Sequence, residues 1–209
     1  MTSIGIIGTG KMGSGLGRVW AAAGHQVFFG SRDADKAKAL AAEVGAGLQG
    51  GTFEQAAEFG DIVLLCVPGF TAEETAQELA NVVRGKALID LTNVMSQTGF
   101  GLFVGTTTSM AEIIAHHTGA KVVKAFNTIH VLNLANPVID GLRADVYYCG
   151  DDDTAKSLTK QLIIDAGFEP VDCGPLQAAR YLEPLAGLWI HLAFGMGGKR
   201  ETAFKLLGR

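Results

Sequence analysis

Apolar runs of strand length alternate with amphipathic runs of helix length from one end of the chain to the other. Residues 3–8, 26–30, 61–67, 87–91, 121–126, 146–149 and 169–172 read as strands, with a shorter one at 47–50. Apolar positions at helical spacing predict helices over 12–23, 33–44, 52–59, 71–83, 109–117, 152–166 and 175–193. Asp33, Thr52 and Thr71 stand where helices would begin, and Gly24, Gly45 and Gly167 where they would stop. The connections are too long for hairpins, which points to βαβ units and a parallel sheet with helices on both faces.

The last predicted helix is apolar nearly all round, at Leu188, Trp189, Ile190, Leu192 and Phe194. Such a helix either covers the sheet as a C-terminal helical cap or lies in the interface of a homodimer. Residues 182–196 are the most apolar stretch, but Glu183, Pro184 and His191 interrupt it and it falls short of the roughly 20 apolar residues of a membrane span. Segment 98–108, with three Gly and four Thr, follows a strand and is expected to be a lid or binding loop.

The first strand, Ile4-Gly5-Ile6-Ile7, runs into Gly8-Thr9-Gly10-Lys11-Met12-Gly13 and then into a helix. Strand, glycine-rich turn and helix in this order predict a dinucleotide site: Gly8 for the tight turn, Gly10 for approach to a pyrophosphate, and Gly13 for close helix packing. The fold expected is therefore a Rossmann-like, doubly wound α/β sheet, one domain over residues 1–209. The second strand ends Phe29-Gly30-Ser31-Arg32, where an NAD enzyme would place a carboxylate for the ribose. Ser31 and Arg32, with Lys36 one turn later, favour the 2′-phosphate of NADP(H) instead. Asp33 is either a helix cap or, were the strand one residue longer, a ribose ligand. The strand ends Cys66-Val67-Pro68, Leu91-Thr92-Asn93 and Phe126-Asn127-Thr128 should line the crevice, with Asn127 in reach of the nicotinamide.

A formal net charge of −4 without a basic cluster argues against nucleic acid and anionic membrane surfaces as partners. A strand beginning at residue 3 leaves no room for a leader, and Cys66, Cys149 and Cys173 lack CxxC spacing, so a cytoplasmic protein with free thiols is expected. No metal-ligand spacing occurs, since the adjacent His116 and His117 point about 100° apart on a helix. No Tyr-x-x-x-Lys proton relay exists: Tyr147, Tyr148 and Tyr181 are followed four residues later by Asp151, Asp152 and Leu185. There is also no room for a separate helical substrate domain. A flavin or deazaflavin acceptor, which carries its own chemistry, fits a site with so little acid–base equipment.

The glycine turn, Gly30-Ser31-Arg32, Val122-Val123-Lys124-Ala125-Phe126-Asn127-Thr128-Ile129, Cys149-Gly150-Asp151-Asp152-Asp153, and Gly174-Pro175-Leu176 leading to Arg180 and Glu183 together resemble the NADPH-dependent reductases of the deazaflavin coenzyme F-420. The resemblance implies an oxidoreductase moving hydride between NADP(H) and coenzyme F-420. It implies that Thr9, Ser31, Arg32 and Lys36 hold the 2′-phosphate, the turn with Lys11 and Met12 the pyrophosphate, and the region from Asn127 through Ile129 to Val131 the nicotinamide; Val67, Pro68, Asn93 and Phe126 at the strand ends complete the expected cofactor-binding set. Asn127 and His130 are then the candidate catalytic residues, and Arg180 lies near the coenzyme or a subunit contact. Members often carry histidine where this chain has Asn127. The Phe126-Asn127 form also resembles the cytosolic domain of the six-transmembrane epithelial antigen metalloreductases, so a flavin, ferric or other small acceptor stays open, as does a non-catalytic NADPH sensor.

Overall fold

The computed structural model describes residues 1–45, 47–95, 101–102 and 104–208. The chain runs β1 (Ser3–Ile7), α1 (Lys11–Ala22), β2 (Gln26–Gly30), α2 (Ala34–Val44), β3 (Gln49–Gly51), α3 (Phe53–Phe59), β4 (Ile62–Leu65), α4 (Gly69–Glu78), α5 (Ala80–Val83) and β5 (Ala87–Asp90). It continues through α6 (Met110–Thr118), β6 (Lys121–Lys124), α7 (Leu132–Ala135), β7 (Val138–Ile139), β8 (Leu142–Arg143), β9 (Asp145–Gly150), α8 (Asp153–Asp165), β10 (Glu169–Asp172) and α9 (Ala179–Ile190). Eight strands form one sheet in the order β10-β9-β6-β5-β4-β1-β2-β3. From β3 to β6 every pair is parallel, in the strand order of the doubly wound dinucleotide-binding folds.

Alternation along each strand sends neighbouring residues to opposite faces. Ile6, Phe29 and Leu64 enter the layer of α1, α2 and α8 around Trp20 and Phe168. Ile7, Phe28 and Val63 enter the layer beneath α3 to α6 and the start of α9. The predicted caps form locally. Asp33 accepts from the Asp35 and Lys36 N–H groups, and Thr52 and Gln55 make a reciprocal capping box.

The sheet is not wholly parallel: β9 pairs antiparallel with β6, and β10 then runs parallel to β9. The reversal begins in the β7–β8 hairpin, whose turn residues Asp140 and Gly141 have φ of 50° and 79°. An Asp-Gly pair between apolar residues is a hairpin signal, and it breaks the simple βαβ reading. The helix expected over 71–83 divides at Leu79 into α4 and α5. The one expected over 175–193 becomes a 3₁₀ turn (Leu176–Ala178), then α9 with Pro184 inside it, then a π turn (His191–Gly195). Pro184 has no N–H, so it cannot donate to the Arg180 carbonyl one turn earlier, yet α9 continues through it to Ile190. Of the expected loop at 98–108, residues 98–100 and 103 lie outside the described residues.

Candidate functional site

The three glycines of the first turn sit in different surroundings. Gly8 has φ of 119°, and a Cβ there would lie 2.2 Å from the Cys66 carbonyl oxygen on the neighbouring β4 end. A Cβ on Gly13 would lie 2.1 Å from the Gly8 carbonyl oxygen, so the helix can cross the turn this closely only without a side chain. At Gly10 a Cβ would meet nothing within 4 Å. Gly10 is also the N-cap of α1 and supplies no side-chain cap, which leaves first-turn N–H groups open toward the crevice between β1 and β4.

That crevice opens into a cavity of about 430 Å³. It brings together Gly8, Thr9 and Gly10 from the first turn, Ser31, Arg32 and Lys36 from the second, and Val67 and Pro68 from the end of β4. Asp33 is occupied by its cap, and its N–H donates to Ser31 Oγ at 3.2 Å. Neither Arg32 nor Lys36 has an ion-pair partner among the described residues. The far wall is Phe53 with Thr71, Glu74, Thr75 and Glu78. Sequence reading missed this wall, although the repeated Thr and Glu at i, i+4 in α4 place both pairs on one side of the helix.

The ends of β5 and β6 make a second, drier group. Asn93 Nδ2 donates to the Asn127 carbonyl at 2.9 Å, and Asn127 Nδ2 donates to the Leu182 carbonyl of α9 at 2.8 Å. Asn127 Oδ1 is buried and has no hydrogen-bond partner. Phe126 has φ of 62°, and its ring packs edge-on to Trp20 and Phe168 at 5.8 and 6.4 Å. The side chains of Phe126 and Ile129 thus belong to the core rather than to the cavity, contrary to the cofactor-binding role expected of both. His130 is not helical. It precedes α7, and its ring stacks on Trp189 at 5.3 Å with Phe194 edge-on at 6.1 Å. Burial first, then the charges of Arg200 and Lys11, hold its pKa below the ordinary histidine value. Val131 lies beside Gly15 of α1, and Met12 packs on the core.

Beneath these strand ends lies a cluster that the sequence reading did not find. Lys124 Nζ is 2.8 Å from Asp90 Oδ2 and 3.0 Å from Glu183 Oε1, and it donates to the Thr92 carbonyl at 2.7 Å. Burial pulls the Lys124 pKa down, but Asp90 and Glu183 outweigh it and hold the ammonium above its usual value. Burial, reinforced by Asp90, pushes the Glu183 carboxyl up. Its oxygens nevertheless accept from the Met110 and Ala111 N–H groups at 3.0 and 3.3 Å, at the positive end of α6.

The family model described as NADP oxidoreductase coenzyme F420-dependent matches residues 3–94. The F420-dependent NADP reductase of Methanothermobacter marburgensis is 32% identical over 204 residues, covering 88% of this chain and 89% of its own length. The chain belongs to the F420-dependent NADP reductase family. A solved structure from Arthrobacter sp. FB24, provisionally described as an F420-dependent NADP-reductase, superposes with a TM-score of 0.89 at 26% identity and covers 100% of both chains. The rat metalloreductase STEAP3 is 28% identical over 182 residues, which cover 87% of this chain and 36% of that protein. Within this F420-dependent NADP reductase family member, Arg180 is engaged by Glu112 in a bidentate pair of 2.8 and 2.7 Å. That pairing, chiefly the hydrogen bond to Arg180, draws the Glu112 carboxyl below its usual value. Arg180 also borders a second cavity of about 610 Å³, beside the exposed Tyr181 and the half-buried Cys173.

Proposed function

We propose that this protein is an NADP-dependent oxidoreductase acting between NADP(H) and the deazaflavin coenzyme F420. The observation that carries the cofactor is the shared cavity: a glycine turn bare at Gly10, and Ser31, Arg32 and Lys36 at its other end without a carboxylate partner. These groups fit a dinucleotide with a 2′-phosphate. Gly8, Gly10, Lys11 and the first turn of α1 would hold the pyrophosphate, Thr9, Ser31, Arg32 and Lys36 the 2′-phosphate, and the backbone from Phe126 to Val131 the nicotinamide beside Asn93, Asn127 and His130. When bound, the pair supplies a hydride and a ring that takes it up. The near-full coverage of the F420-dependent reductase, against about a third of the metalloreductase, supports F420 over a flavin or ferric acceptor.

Purified protein with NADPH should consume absorbance near 340 nm rapidly with F420 and slowly with FAD, FMN or ferric chelates; equal rates with all four would overturn the acceptor. Arg32→Ala should weaken NADPH binding roughly tenfold to a hundredfold, the range for a charged hydrogen bond, and leave NADH binding nearly unchanged. Equal losses with both cofactors would remove the 2′-phosphate assignment.

The protein is further proposed to act in the cytoplasm as a homodimer, without nucleic-acid partners. No helix among the described residues is long and apolar enough to cross a membrane. Trp189 and Ala193 pack inward while Leu188, Leu192 and Phe194 stay nearly half exposed, so one stripe of this C-terminal segment covers the fold and the other is free for a second subunit. Sedimentation should give a dimer that Leu192→Glu shifts to monomer.

A further inference from the structure

Three charged side chains are sealed beneath the β5 and β6 ends, with exposures of 0% for Lys124 and Asp90 and 1% for Glu183. Lys124 directs its ammonium at three acceptors: Asp90, Glu183 and the Thr92 carbonyl. Asp90 Oδ1 accepts from both the Thr92 N–H and hydroxyl, at 2.8 and 2.7 Å. Thr92 is therefore gripped at its N–H, its hydroxyl and its carbonyl. A buried ion cluster holds a fold no better than well-packed apolar residues of the same volume, so stability alone does not explain it. Its distinctive property is direction. It ties four segments together: the end of β5, the end of β6, the start of α6 and α9.

The three hydrogen bonds of Asn127 all go to residues next to those the cluster grips, and one of them runs from Asn127 Nδ2 to Asn93 Oδ1 at 3.5 Å. Asn93, which follows Thr92, donates to the Asn127 carbonyl. Leu182, which precedes Glu183, accepts from Asn127 Nδ2. Because a backbone carbonyl only accepts, the amide nitrogen must face Leu182, and Oδ1 remains as a buried acceptor without a partner. We propose that Lys124, Asp90 and Glu183 are positioning residues for the reaction, which hold the Asn127 amide at the nicotinamide end of the site with Oδ1 free to accept from a ligand N–H. This inference rests on the NADP(H) reading given above.

A double-mutant cycle tests it. Glu183→Gln should lower kcat about tenfold while the Kd for NADPH changes less than about threefold, since the pyrophosphate and 2′-phosphate groups lie elsewhere. Asn127→Ala should lower kcat too, and Glu183→Gln added to Asn127→Ala should lower it no further, because residues acting as one unit are not additive. Thr92→Val removes only the hydroxyl bond to Asp90, keeps the shape and provides the milder second variant; it should show the same split on a smaller scale. Leu162→Ala, a core change on α8, serves as the stability control: it should lower Tm without changing kcat. Losses in kcat that add fully in the double variant, or a kcat that follows Tm as it does in the control, overturn the proposal. A wild-type protein that neither binds nor turns over NADPH overturns the cofactor reading and this inference together; additive losses in an active enzyme overturn this inference alone.

Discussion

Gly10→Val is expected to give a folded protein that no longer binds NADPH, whereas Gly13→Ala is expected to damage the fold. A side chain at Gly10 projects into open space within the cavity, so the native packing tolerates it, but it fills the place where a pyrophosphate must approach the first-turn N–H groups of α1. Losing two charge-assisted hydrogen bonds is worth at least about 100-fold in Kd, or about 2.7 kcal/mol. At Gly13 the added atom would sit 2.1 Å from the Gly8 carbonyl oxygen, and backbone, unlike a side-chain tip, cannot swing away. Relieving that overlap should cost about 2–3 kcal/mol, which lowers Tm by roughly 4–12 °C in a domain of this size. Thermal unfolding and an NADPH fluorescence titration on both variants check the pair. Full NADPH affinity in Gly10→Val would show that the turn serves the fold alone.

The parts of the fold that the sequence made legible are those governed by local rules. The apolar runs of β1, β4 and β5 are buried throughout or nearly so, because central parallel strands face a helix layer on each side. Asp33 and Thr52 cap the helices they precede, which is a matter of three or four consecutive residues. The antiparallel β9 was not legible, because strand direction depends on where the whole 125–144 connection ends. Its local clue, Asp140-Gly141, had to be weighed against a regular βαβ rhythm.

The site divides in the same way. Gly8, Thr9, Gly10, Ser31, Arg32, Lys36, Val67 and Pro68 share one cavity because each follows a strand of the parallel block, and parallel strands deliver their following residues to one edge. Phe126 and Ile129 follow a strand as well, yet their side chains turn into the core. Position after a strand says where the backbone is, not where a side chain points once φ becomes positive, as it does at Phe126. The Lys124, Asp90 and Glu183 cluster joins positions up to 93 residues apart in sequence. Lys124 and Asp90 ended apolar strands and Glu183 interrupted an apolar helix. A charge inside each apolar run was the available signal, since an unpaired charge would not be buried there.

Asn127→Ala should reduce turnover about 10- to 100-fold, roughly 1.4–2.7 kcal/mol, and His130→Ala less than tenfold. The ranking follows from what each side chain is free to do. Asn127 presents a buried, unpartnered oxygen, and removing it loses an orienting contact but no proton donor. His130 stacks on Trp189, and its pKa lies below the ordinary value, so above about pH 6.5 the neutral imidazole dominates and little acid is available. Lys124 spends its ammonium on Asp90, Glu183 and Thr92. Positioning then supplies most of the rate, and turnover should stay nearly flat from about pH 7 to 8.5, without the bell shape of a paired acid and base. A fall of 10⁴-fold or more in His130→Ala, with NADPH binding intact and a bell-shaped profile abolished, would identify His130 as a general acid. The acceptor would then have to be a carbonyl or imine that needs a proton as it is reduced, and the deazaflavin reading would fail.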